Sequence, residues 1–209
     1  MSASLYLRGS CAVGADGPWS DVDLVVITPT GHIGNRGLSA LLAAGGVARI
    51  AVGRPIDLLV TDPGQLEINH LLSNALAHAR LLVGPAVAVK RPEPAAWALQ
   101  ARQFAEDLVR HGDSAQQAAG VLWAAAARLV ESGAPAPARK DDAAEIWAEQ
   151  VRGRWVDLLM RAHTGRQVGR DECTAFLEDV RPVALGPRRR RRGRGRGRGG
   201  RSQPTGTAA

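Results

Sequence analysis

The sequence predicts an α/β (α+β) domain built on a short mixed sheet, then an α-helical bundle, then a disordered tail. Three observations carry this. Short apolar runs bounded by glycine, proline or serine fill the first 90 residues. From Pro94 onward the apolar spacing turns helical. Residues 188–201 are arginine and glycine alone, with almost nothing to bury. The expected boundaries are 1–90, 91–182 and 183–209.

Residues 5–7, 22–27 and 56–60 read as buried strands, and Val47–Val52 as a further one. Gly9-Ser10 and Gly14–Gly17 read as turns, and Leu38–Ala44 as a helix. Leu66–His78 has the spacing of one helix, and Ala79–Val83 returns as an edge strand closed by Gly84-Pro85. The proline-rich stretch 85–94 reads as a linker. Four helices follow, over Ala95–His111, Ser114–Ser132, Asp141–His163 and Asp171–Val180. Asp113-Ser114 supplies an N-terminal cap, while Gly112, Gly133 and Gly165 supply stops. Gly120 and Gly153 lie inside two of these helices and argue against their continuity.

Charge has to be partitioned before it is interpreted. Nine of the 27 basic residues are arginines in 188–201, and no acid follows them. Residues 1–187 therefore carry 18 bases against 20 acids, a net charge of −2. The folded part is not a basic nucleic-acid-binding domain. The tail alone has the composition for weak, salt-sensitive contact with nucleic acid; an extension with no selected role is the alternative. No apolar run reaches membrane-spanning length, and no basic region followed by an apolar stretch opens the chain. With only two cysteines, Cys11 and Cys173, the expectation is a cytoplasmic protein without a membrane partner. The histidines have no zinc-type spacing. The tryptophans at 97, 123, 147 and 155 read as bundle core, and Trp19 as a loop residue near the acidic pair.

The chemistry-bearing pattern is Leu5-Tyr6-Leu7-Arg8-Gly9-Ser10, ten residues, then Asp21-Val22-Asp23 opening an apolar strand. Alternation along a strand puts Asp21 and Asp23 on one face. Two neighbouring carboxylates call for a cation, and Mg2+ takes such oxygens while keeping positions for phosphates. Gly9 lets the backbone approach a phosphate, and Ser10 offers a hydroxyl and an amide. Asp57, inside an otherwise apolar strand where an unpaired acid would be costly, is the expected third carboxylate.

These residues resemble the nucleotidyltransferase superfamily of the DNA polymerase β type: strand, Gly-Ser, spacer, Asp-x-Asp, then a third acid in a later strand. The stretches Val121-Leu122-Trp123 to Arg128 and Arg139-Lys140-Asp141-Asp142 to Trp147-Ala148 resemble the helical half of streptomycin/spectinomycin adenylyltransferases. The resemblance covers roughly residues 5–165, most strongly 5–27 and 139–148. It implies a nucleotidyltransferase domain that moves AMP from ATP to a hydroxyl of an aminoglycoside-like small molecule and releases pyrophosphate. It also implies Mg2+ on Asp21 and Asp23, phosphate contacts from Gly9, Ser10 and Lys140, and Asp57 as general base or third metal ligand. Two other expectations stay open. One is a minimal toxin–antitoxin type of nucleotidyltransferase that modifies protein or RNA. The other is an inactive, nucleic-acid-binding derivative.

Overall fold

The computed structural model describes residues 3–14, 16, 21–31 and 53–181. Trp19, the end of the Gly14–Gly17 turn, the expected helix Leu38–Ala44, the expected strand Val47–Val52 and the tail from 183 lie outside these residues.

Four strands form one mixed sheet. They are β1 (Ser4–Arg8), β2 (Val22–Ile27), β3 (Ile56–Thr61) and β4 (Arg80–Val83), in the order β3-β2-β1-β4. β1 is antiparallel to both β2 and β4, and β2 runs parallel to β3. Alternation then sorts the side chains. Tyr6 stands opposite Val25 and Ser4 opposite Ile27. Tyr6, Val25 and Ile27 are buried against Leu66, Leu72 and Leu76. Those leucines come from α1 (Pro63–Ile68) and α2 (His70–Ala77). The Tyr6 hydroxyl accepts from the Val87 amide at 2.7 Å, which pins the proline-rich connector to the sheet.

Leu66–His78 was expected as one helix, and the structure breaks it at Asn69. The Asn69 side chain accepts from the Leu72 amide at 2.9 Å, so it caps a new helix. Its own amide closes the preceding one on the Gln65 carbonyl.

The second half is helical: α3 (Pro94–His111), α4 (Ser114–Glu131), α5 (Asp142–Gln150), α6 (Val156–His163) and α7 (Arg170–Asp179). Asp113 and Gln116 form a reciprocal capping box at the start of α4. Gly120 does not interrupt α4. A Cβ there would stand 2.9 Å from the Ala105 carbonyl oxygen and 2.9 Å from Val109 Cγ2. The glycine is what lets α3 and α4 approach so closely.

Gly153 does end a helix. Arg152 (φ 57°) and Gly153 (φ 92°) take left-handed conformations, so the expected helix Asp141–His163 is two helices, α5 and α6. The core between the helices is small and aromatic. Ala124 to Ala127 are buried, and Trp147 and Trp155 pack edge-on against Phe176 at 5.8 and 5.5 Å. One polar link runs through it: Arg102 donates to both carboxylate oxygens of Glu131 at 2.7 Å. No helix among the described residues is long and apolar enough to cross a membrane.

Among the described residues, hydrogen bonds join the halves, one of them from Gln100 Nε2 to the Ile68 carbonyl at 3.2 Å. The Leu71 amide donates to Gln100 Oε1 at 3.0 Å, and Asn74 Nδ2 donates to the Pro137 carbonyl at 2.9 Å. They hold the residues after Pro137 beside the end of the sheet that carries Gly9.

Candidate functional site

Strand register assembles the polar end of the sheet. Arg8 pairs with Asp23 across β1 and β2, and Asp23 with Asp57 across β2 and β3. All three therefore share the face that carries Tyr6 and Val25, one step beyond the apolar core. Arg8 Nη2 lies 3.0 Å from Asp23 Oδ1 and 3.3 Å from Asp57 Oδ2.

Burial dominates the electrostatics of Asp23 and holds its carboxyl above the usual carboxylate range. The Arg8 guanidinium pulls the other way, and the charges of Asp57 and Asp21 add to the rise.

Gly9 follows Arg8 with φ 71° and ψ −155°, a combination open to glycine alone. A Cβ at this position would run into Asp23 Oδ2, so the missing side chain is the space the carboxylate occupies. Ser10 starts a short 3-10 turn, Ser10–Ala12, closed by the Ala12 amide on the Gly9 carbonyl at 3.2 Å. The next residue, Cys11, donates its thiol to the Asp21 carbonyl at 3.4 Å, which ties the turn to the start of β2.

Facing this end of the sheet is the segment before α5. Arg139 donates to Asp142 Oδ1 at 2.9 Å, and Lys140 Nζ stands 3.6 Å from Asp141 Oδ2. Between the two lies a cavity of about 620 Å³. Gly9, Ser10, Asp21 and Asp23 line it from the sheet side, Lys140 and His163 from the helical side. Arg8, Phe104 and Trp123 connect it to a second cavity of about 440 Å³, which also contains Asp107. On the far side, Lys140, Asp141 and His163 border a third cavity of about 460 Å³ floored by alanines of α4.

Five of the six residues expected from sequence thus line one cavity: Gly9, Ser10, Asp21, Asp23 and Lys140. Asp57 is not among the residues lining it, and its carboxylate is turned to Arg8. The expectation that an acid in this strand is buried does not hold. β3 lies at the end of the described sheet, and the Asp57 side chain is 64% exposed. Among the described residues, no group of three or more His, Cys, Asp or Glu side chains is placed to hold a metal ion unaided.

Trp97 and Trp147 are core residues as expected. Trp123 is partly exposed and walls two cavities. Sequence reasoning missed Arg8, Phe104 and His163. Nothing in their local pattern marks them, because only the tertiary fold brings them to the cavity.

No family model, curated protein or solved structure matches the chain.

Proposed function

We propose that this protein is a Mg2+-dependent nucleotidyltransferase that moves AMP from ATP to a hydroxyl of a cationic, aminoglycoside-like small molecule and releases pyrophosphate. One observation carries the reading. A glycine-serine turn, two carboxylates and a lysine from distant parts of the chain line a single cavity.

The donor set suits the metal. Mg2+ is usually held by one or two carboxylates together with substrate phosphates, without a complete protein cage. Asp21 and Asp23 provide that pair, and the space left by Gly9 keeps Asp23 Oδ2 unobstructed. When bound, the ion would neutralise triphosphate charge at the attacked phosphorus and on the leaving group.

The remaining roles belong to the chain. Ser10 and Lys140 hold phosphate oxygens from opposite walls and fix the triphosphate for in-line attack. The acceptor oxygen bonds to the α-phosphorus, the bond to the β-phosphate oxygen breaks, and pyrophosphate leaves. Asp57 is the base implied by the family resemblance; to take the hydroxyl proton it must part from Arg8. The adjoining cavity, with Phe104, Trp123 and Asp107, offers aromatic faces and a carboxylate to a cationic acceptor.

The test is incubation of the purified protein with Mg2+, labelled ATP and a panel of aminoglycosides. The proposal expects pyrophosphate release that needs both a drug and Mg2+ and disappears in Asp21→Asn and Asp23→Asn. Label transferred to protein or RNA without any drug would replace the small-molecule acceptor. An absence of ATP turnover under every condition would overturn the reading.

A further inference from the structure

We propose that Arg8 is the resident counter-cation of the carboxylate row and competes with the divalent metal for Asp23. The inference rests on the metal-dependent reading above and adds a positioning residue to it.

Three observations support this. Register makes Arg8, Asp23 and Asp57 consecutive neighbours across three strands, so the cation is fixed by the backbone pairing itself. One nitrogen, Nη2, reaches both carboxylates, at 3.0 and 3.3 Å. A single guanidinium nitrogen thus stands between two acids as a bridging ion does, and it lowers the repulsion that would otherwise splay β2 from β3. Among the described residues, the buried Arg8 Nε has no hydrogen-bond partner. The guanidinium is therefore incompletely satisfied and gives up few bonds when it moves.

A dication bound to Asp23 would repel the Arg8 guanidinium, whose Nη2 lies 3.0 Å from that carboxylate. Loading the site thus requires Arg8 to release Asp23. It then leans on Asp57, with one acceptor already in place, until the acceptor hydroxyl claims that base. The released N–H groups then lie where the 620 and 440 Å³ cavities meet, since Arg8 lines both. In this account Arg8 holds the two acids together before loading and sets how tightly the metal is held.

The test measures Mn2+ affinity by electron paramagnetic resonance, with Mn2+ alone and with Mn2+-ATP, in wild type, Arg8→Gln and Arg8→Lys. Arg8→Gln removes the competing charge and is expected to bind Mn2+ about tenfold more tightly. Arg8→Lys keeps a charge that reaches one carboxylate at a time and is expected to fall between the two. Without metal, Arg8→Gln is expected to melt below wild type, and Mn2+ is expected to raise its melting temperature by more than it raises that of wild type. If Arg8→Gln fails to fold, Arg8→Lys carries the comparison. Binding in Arg8→Gln (or, if it is unfolded, Arg8→Lys) no tighter than wild type, while wild type takes up Mn2+-ATP, overturns the role of Arg8 and leaves the transferase reading intact. Failure of all three proteins to take up Mn2+, with or without ATP, overturns both.

Discussion

Replacing Gly9 by alanine tests whether the turn and the carboxylate are built around each other. Gly14 is the natural control. It also has a left-handed φ, 70° against 71°, but among the described residues a Cβ there meets nothing within 4 Å. Gly14→Ala carries backbone strain of about 1–2 kcal/mol, and Gly9→Ala, in a region open to glycine alone, about 1–3 kcal/mol. Only Gly9→Ala also drives a methyl group into the Asp23 carboxylate. That carboxylate must then swing aside and give up its 3.0 Å contact with Arg8. Displacing a partly buried, charge-assisted contact adds about 1–3 kcal/mol. Gly14→Ala is therefore expected to lose about 1–2 kcal/mol and Gly9→Ala about 2–6 kcal/mol. Urea denaturation at neutral pH measures each. A cycle with Asp23→Ala isolates the overlap, because that change removes the colliding oxygen and leaves the Asp23 Cβ 3.6 Å away. The double variant is expected to be about 1–2 kcal/mol less destabilised than the sum of the single variants. Equal losses at Gly9 and Gly14, or strict additivity with Asp23→Ala, would refute the reasoning.

Gly120→Ala, normally a gain of up to about 1 kcal/mol in a helix, is expected to lose about 1–3 kcal/mol because α3 must move off the Ala105 carbonyl; a stabilised variant in thermal melts would contradict the close approach. Asp23 makes a pH prediction whose sign follows from burial. Its native pKa lies above the unfolded value of 3.8, so between the two the native state binds more protons than the unfolded one. The contribution of Asp23 to stability therefore falls as pH rises through that window, and Asp23→Asn is expected to remove the fall and to be the more stable protein at neutral pH. Urea midpoints across the acid range decide it, and a variant less stable than wild type at neutral pH would count against burial as the dominant cause.

The sheet was legible because its strands are short, apolar and punctuated. Residues 22–27 match β2, and 56–60 fall one residue short of β3. Helix breaks were harder. At Asn69 the capping side chain outweighed continuous apolar spacing, while Gly120 and Gly153 look alike in sequence and behave oppositely. Gly120 packs against a neighbouring helix, and Gly153 follows a left-handed arginine. For the site, alternation was enough to put Asp21 and Asp23 together, since Asp23 lies in β2 and Asp21 immediately precedes it. Asp57 was expected from its place in an apolar strand, but its pairing with Asp23, and through Asp23 with Arg8, came from register alone. An arginine beside Gly-Ser carries no local signal of that role. Its meaning appears only when three strands are laid side by side.

In the proposed reading, one nucleotide is held from both halves of the chain. Isothermal titration of Mg2+-ATP into wild type and Lys140→Met tests it most directly, because Lys140 reaches the cavity from the helical side and lies far in sequence from Gly9 and Asp23. The account expects saturable binding by wild type, with affinity about tenfold weaker in a fully folded Lys140→Met, as for loss of one phosphate-binding charge. Binding unchanged by Lys140→Met would contradict it.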